Sequence, residues 1–185
     1  MKKFFLVILL FCIVPVLYSQ ESIGYDKFRL GMNKSEIMDI VYNNYQGWGL
    51  YKDQGDVNAK KTFYTLKRSD SYIINFGFYL DNLSSVSIYE MFDDAKSAKN
   101  EYKRLVGILT KKYGKVVCKT NHGTGKDTGI ITEWAQGDHQ YITLCFVFAS
   151  DDEIYNYTLE YWDSRYSTSV VSRIKKQKYD DSYKY

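Results

Sequence analysis

Phe28-Arg29-Leu30-Gly31-Met32-Asn33-Lys34-Ser35-Glu36-Ile37 is the stretch whose reading decides the fold. Phe28 and Leu30 alternate with Arg29 as they would in a short strand. Gly31 admits backbone angles that other residues resist. Asn33 precedes Glu36 by three residues, the spacing at which each side chain bonds the other's backbone N–H at a helix start. The order predicts a strand that turns sharply into a capped helix over 34–45, with Ile37, Ile40, Val41 and Tyr45 on one face.

Downstream, Asn43 to Gly49 reads as a turn-rich connection and Lys52 to Lys60 as a polar loop. Three strands are expected next, at Thr62 to Leu66, Tyr72 to Leu80 and Val86 to Tyr89, each alternating and rich in strand formers. A second helix follows, capped by Asp93 or Asp94. Ala95, Ala98, Tyr102, Leu105 and Leu109 recur at helical spacing, Lys111 and Lys112 load the last turn, and Gly114 stops it. Further strands are expected at Lys115 to Lys119, Ile130 to Ala135, Tyr141 to Phe148 and Ile154 to Trp162, with a turn over Asn121 to Gly129.

The fold class is therefore α+β, an antiparallel β-sheet with helices packed on one face. Two helix-plus-strands repeats, with halves 26–91 and 92–163, fit the pattern, and so does one continuous sheet under two helices. A weaker third helix is expected from Ser164 to Lys178, and 179–185 reads as a disordered tail.

Upstream, Lys2 and Lys3 precede an apolar run from Phe4 to Leu17, and small Ser19 precedes Gln20. This is the pattern of a signal peptide over 1–19, and the run is shorter than the roughly 20 residues that span a bilayer. Bulky Phe11 before Cys12, with apolar residues continuing past it, does not suit lipidation. The expected product is a single domain over 20–178, exported to the periplasm or outside the cell, with no membrane span. Removing nineteen of 185 residues leaves 166, enough for one domain with its own core. Losing Lys2 and Lys3 changes the balance of basic to acidic residues from 25 against 22 to 23 against 22. That near-neutral charge lacks the basic stripe that nucleic acid would require, and the short runs Lys111-Lys112 and Arg173 to Lys178 read as helix ends.

Leu30-Gly31-Met32-Asn33-Lys34-Ser35-Glu36-Ile37 resembles the opening of small bacterial envelope proteins: the SmpA/OmlA type of outer-membrane-assembly lipoprotein and the β-lactamase-inhibitor-protein-like repeats. The resemblance covers about ten residues. It implies a helix followed by antiparallel strands in an envelope protein that works by binding other proteins, with no catalytic residues. The chain departs from the lipoproteins in having no Cys directly after its signal.

Cys118 and Cys145 fall on strands that flank a shared neighbour in a meander, about 9.6 Å apart, beyond the roughly 7 Å that a disulfide bridges. A different strand order would reverse that. The two histidines, His122 and His139, fall in expected turns, and no Ser stands in a G-x-S-x-G elbow. Two scattered His and two strand Cys do not form a zinc set. The loop Gly123 to Asp127 lacks phosphate-loop spacing, and the acidic doublets lack a calcium ladder. No cofactor or metal is expected. Carboxylates paired in space for glycan or peptide hydrolysis stay open, because spacing along a chain does not reveal them.

The composition stands out for its aromatics: 19 Tyr, 10 Phe and 3 Trp. Tyr155, Tyr157, Leu159 and Tyr161 share one face of the last strand. If that face lies away from the helices, its tyrosines form a rigid amphipathic surface for protein or sugar. Trp48, between Gly47 and Gly49 with Tyr51 near, is the foremost single candidate for an exposed recognition aromatic. The expected binding residues are thus Trp48, Tyr51, Tyr155, Tyr157 and Tyr161. The expected role is an exported, non-enzymatic interaction module with a protein or glycan partner. A hydrolase using unrecognised carboxylates and an inhibitor of an exported enzyme are the alternatives. Oligomeric state is not indicated.

Overall fold

A computed structural model describes residues 22–53, 60–122, 127–149 and 154–166. The expected signal peptide, the tail and the third helix lie outside these residues, except that the first three residues of that expected helix, Ser164 to Tyr166, form a turn. A small hairpin opens the fold, β1 (Gly24–Tyr25) paired antiparallel with β2 (Phe28–Arg29). Gly31, at φ +90, makes the turn into α1 (Lys34–Asn44). The expected capping box is present: Asn33 Oδ1 accepts from the Glu36 amide at 3.0 Å and the Glu36 carboxylate accepts from the Asn33 amide at 2.8 Å.

This stretch is also clipped to the sheet. The Gly31 amide donates to the Leu83 carbonyl, the Leu83 amide to the Met32 carbonyl and the Lys34 amide to the Asp81 carbonyl, all at 2.7–2.8 Å. The quoted motif therefore holds the start of α1 on a strand some fifty residues downstream.

Eight strands make one sheet: β3 (Gly49–Asp53), β4 (Lys61–Ser69), β5 (Tyr72–Tyr79), β6 (Asn82–Phe92), β7 (Cys118–His122), β8 (Asp127–Gln136), β9 (Gln140–Ala149) and β10 (Ile154–Asp163). Their order is β3-β4-β5-β6-β10-β9-β8-β7, every neighbour antiparallel. Between β6 and β7 runs α2 (Ala95–Tyr113), capped by Asp94 through the Ser97 amide and ended by Gly114 at φ +83. Helix then four-strand meander thus occurs twice, and the two meanders join through their last strands, β6 and β10. The two arrangements considered from sequence are one object, a continuous sheet made of two helix-plus-strands units.

The core forms where registers align. Leu66, Ile74, Ile88, Leu159 and Leu144 stand opposite one another in turn across five strands, all buried. Ala98, Tyr102, Leu105 and Leu109 of α2 are buried against this side. Each fully buried Leu or Ile contributes about 1.5–3 kcal/mol. The row crosses from one half to the other without a break, so the two units share one core. No helix of the described residues is long and apolar enough to cross a membrane.

β1 lies outside the expected strands, and β6 and β8 begin earlier than expected, at Asn82 and Asp127, so His122 and Asp127 to Gly129 lie in strands and not in the expected turn. The two sheet edges differ as well. β3 occupies residues read as connection and loop, because four of its five residues are exposed and it carries no buried alternation. β7 begins at Cys118 rather than Lys115. The Val117 amide already bonds the Glu133 carbonyl, and the exposed Lys119, Thr120 and Asn121 give no apolar signal. Cys118 and Cys145 are separate thiols, half-buried and buried. Cys118 faces Glu133, whereas Cys145 faces Ile131, so they lie two strand spacings apart, with β8 between them, and two residues out of line. That spacing is roughly 12 Å, too far to bridge.

Candidate functional site

Trp48 is positioned by the end of α1. Tyr45 caps the helix, Gly47 turns the chain at φ +83, and the Trp48 amide donates back to the Tyr45 carbonyl at 3.2 Å. The indole meets Tyr45 and Tyr72 edge-on, with ring centroids 5.1 and 5.7 Å apart, and the Arg68 guanidinium stands 6.0 Å over it. Tyr45 stacks on Phe28, which meets buried Phe76 at 4.7 Å. An aromatic chain therefore runs from the core out to Trp48. Tyr45 is pinned by donating to Asp26 at 2.7 Å; burial first, and then that bond, push its hydroxyl well above the ordinary tyrosine range.

Outside this wall, between α1 and β3, lies an open groove of about 640 Å³. Met38, Tyr42 and Leu50 rim it, Tyr45 and Trp48 back it, and Asp39 is the one charged residue lining it. Tyr42 is 80% exposed and Leu50 42% exposed. Leu50 faces Leu66 across β4, so it belongs to the helix side of the sheet. Tyr51, 56% exposed, alternates to the opposite side, its ring lying over Gly49. Trp48 lines the groove and Tyr51 flanks it.

The three tyrosines of β10 belong elsewhere. Tyr157 and Tyr161 are each 5% exposed, and Tyr155 is partly buried against the core. They share the helix-covered face with Leu159, which corrects the expectation of an exposed tyrosine surface there. Each large ring finds a core neighbour: Tyr157 lies beside Phe92, and Tyr161 meets Tyr113 edge-on. The Tyr157 hydroxyl has a partner in Glu90 at 2.7 Å.

The side of the sheet without helices mixes polar side chains with a small buried apolar cluster, Ile131 and Cys145 with Val147 against them, and sequence reasoning did not single it out. Trp162 stacks on Tyr141 at 4.9 Å and donates to Thr143, which bonds Glu133. Thr65 bonds Asp53 and Asn75 on the same side. Strict alternation with the buried Leu row is the signal that places these residues together.

A second cavity, of about 410 Å³, lies at the far end of the β6–β10 seam. Its polar groups are already matched. Arg165 grips Asp163 through both carboxylate oxygens at 3.0 and 2.6 Å, and Tyr166 stacks on Tyr79 at 5.1 Å. Burial works to raise the Asp163 pKa, but bonds from the Arg165 side chain and backbone outweigh it and hold the carboxyl below the ordinary range. Each of these two cavities is lined by one carboxylate, Asp39 or Asp163, where glycoside hydrolysis uses two. Among the described residues, no three His, Cys, Asp or Glu side chains converge as a metal ion requires.

No family model matches the chain, and comparison with curated proteins and with solved structures found no match.

Proposed function

We propose that the protein is an exported, non-enzymatic binding module of the bacterial envelope that holds a protein partner in the groove between α1 and β3. The observation that carries this reading is the groove itself. A rigid Trp48 and Tyr45 back it, and large apolar side chains at Tyr42 and Leu50 are left in solvent beside them. Half-buried aromatics ringed by exposed apolar groups are the composition of an interface hot spot. The lining holds little hydrogen-bonding chemistry besides Asp39, Gln46 and the tyrosine hydroxyls, which favours an apolar protein segment over a sugar. The signal-like opening and the likeness of Leu30 to Ile37 to envelope binding proteins support the compartment.

The test is site-specific photocrosslinking in the native cell, with the photoreactive amino acid at Tyr42 in one strain and at Ile108, exposed on α2, in another. A protein adduct from position 42 that is absent from position 108 and lost with Trp48→Ala supports the reading. No adduct at 42, or the same adducts from both positions, overturns it.

A further inference from the structure

We infer that the partner segment binds as an added β-strand alongside β3, with its inward side chains in the groove and a Lys or Arg among them; this rests on the binding reading above. Among the described residues β3 pairs on one side only, with β4. Its other side therefore presents backbone N–H and C=O groups at alternate residues, a template for one more antiparallel or parallel strand. An added strand would lie about 4.8 Å beyond β3. Its helix-side residues would then fall next to Leu50, where Met38 and Tyr42 of α1 stand above the groove. Backbone pairing and apolar contact would be satisfied by the same extended segment.

The sheet has a second edge, and the comparison is informative. β7 is also paired on one side, but its exposed residues Lys119, Thr120 and Asn121 are polar and neither cavity adjoins it. Exposed charges stand on both edges, Lys119 on β7 and Lys52 and Asp53 on β3, so the groove is what sets them apart. Among the described residues, it is the β3 edge that adjoins the apolar groove. The groove's single charge is Asp39, so the complementary occupant carries a cation on its inward face. A helix laid in the groove would use the apolar rim but leave the β3 backbone groups to water.

The experiment selects phage-displayed random dodecapeptides on the purified protein and resynthesises the winners with backbone N-methyl groups. Strand addition predicts alternating apolar and polar residues with one Lys or Arg in the apolar register. Methylating one alternate set of two amides removes two bonds and weakens binding roughly 10-fold to 100-fold, while methylating the other set has little effect. Asp39→Asn weakens binding up to about fivefold, and Tyr42→Ser weakens it without changing the circular dichroism. Winners with helical spacing, equal sensitivity of both sets, or no winner at all overturn strand addition. If that happens while the Tyr42 crosslink persists, the binding reading stands and only its geometry falls.

Discussion

The hydroxyl of Tyr157 donates to the carboxylate of Glu90 at 2.7 Å, across the one strand pair that joins the two halves of the sheet. Tyr157 stands directly opposite Glu90 in the register, so the bond ties β10 of the second unit to β6 of the first. Removing the hydroxyl leaves Glu90, half-buried, to rehydrate in part. Tyr157→Phe is expected to lower stability by about 1.5 kcal/mol, read from urea denaturation, with both halves unfolding in one transition before and after. Separate transitions would show that the seam does not couple them.

Alkaline stability follows from the same face. Burial first, then hydrogen bonds or neighbouring groups, push the hydroxyls of Tyr45, Tyr72, Tyr157 and Tyr161 above the ordinary value of 10.0. The folded protein keeps these protons where the unfolded chain releases them. Their contribution is therefore full below pH 10 and is lost as pH rises above it. A spectrophotometric titration should find these four tyrosines silent until the protein unfolds. A native state that titrates them near 10 would refute the burial argument.

Acid works through Asp163 with the opposite sign. Its carboxyl is held below the ordinary 3.8, chiefly because the Arg165 bonds outweigh the burial that opposes them. The contribution is present above that value and is lost as pH falls below it. Asp163→Asn should lower stability at neutral pH by about 1–3 kcal/mol and flatten the acid limb of a stability-against-pH curve. An unchanged acid limb would remove Asp163 as its source.

The capping box makes a local prediction. Asn33→Ala removes the acceptor for the Glu36 amide and should reduce stability by about 1 kcal/mol, while Asn33→Asp should retain most of it. Thermal melts of the two variants measure the difference; equal losses would show that the side-chain bond contributes nothing beyond the turn at Gly31.

Groove residues should separate binding from folding. Tyr42 is largely in solvent, so Tyr42→Ser should change stability by less than about 0.5 kcal/mol. Trp48→Ala removes a half-buried ring packed between Tyr45 and Tyr72 and should cost about 2 kcal/mol. Denaturation of both variants checks this. A large loss at Tyr42 would mean the groove rim is part of the core and not a docking surface.

Sequence legibility followed the strength of local signals. Asn33 with Glu36, the Ala98 to Leu109 stripe and the Gly114 stop were readable because a helix writes its caps and period into neighbouring residues. The central strands were readable by alternation. The edge β3 was not, and β7 was read three residues too early, since a strand exposed on nearly every side has no buried face to report. Trp48 was found from its glycine flanks, whereas Met38, Asp39, Tyr42 and Leu50 were not linked with it, because they meet only after the chain folds back at Gly47.

By itself the sequence determined the α+β class, the two helices with their ends, and the opening strand-turn-helix, all of which rest on interactions within a few residues. Only the tertiary structure decided that the two meanders join through β6 and β10, and that Tyr155, Tyr157 and Tyr161 face inward. It alone also decided that an apolar groove opens beside an edge strand. Alternation states that two faces differ, but which of them a helix covers is set by contacts between residues tens of positions apart, as when Tyr102 reaches across to Thr132 and Phe146.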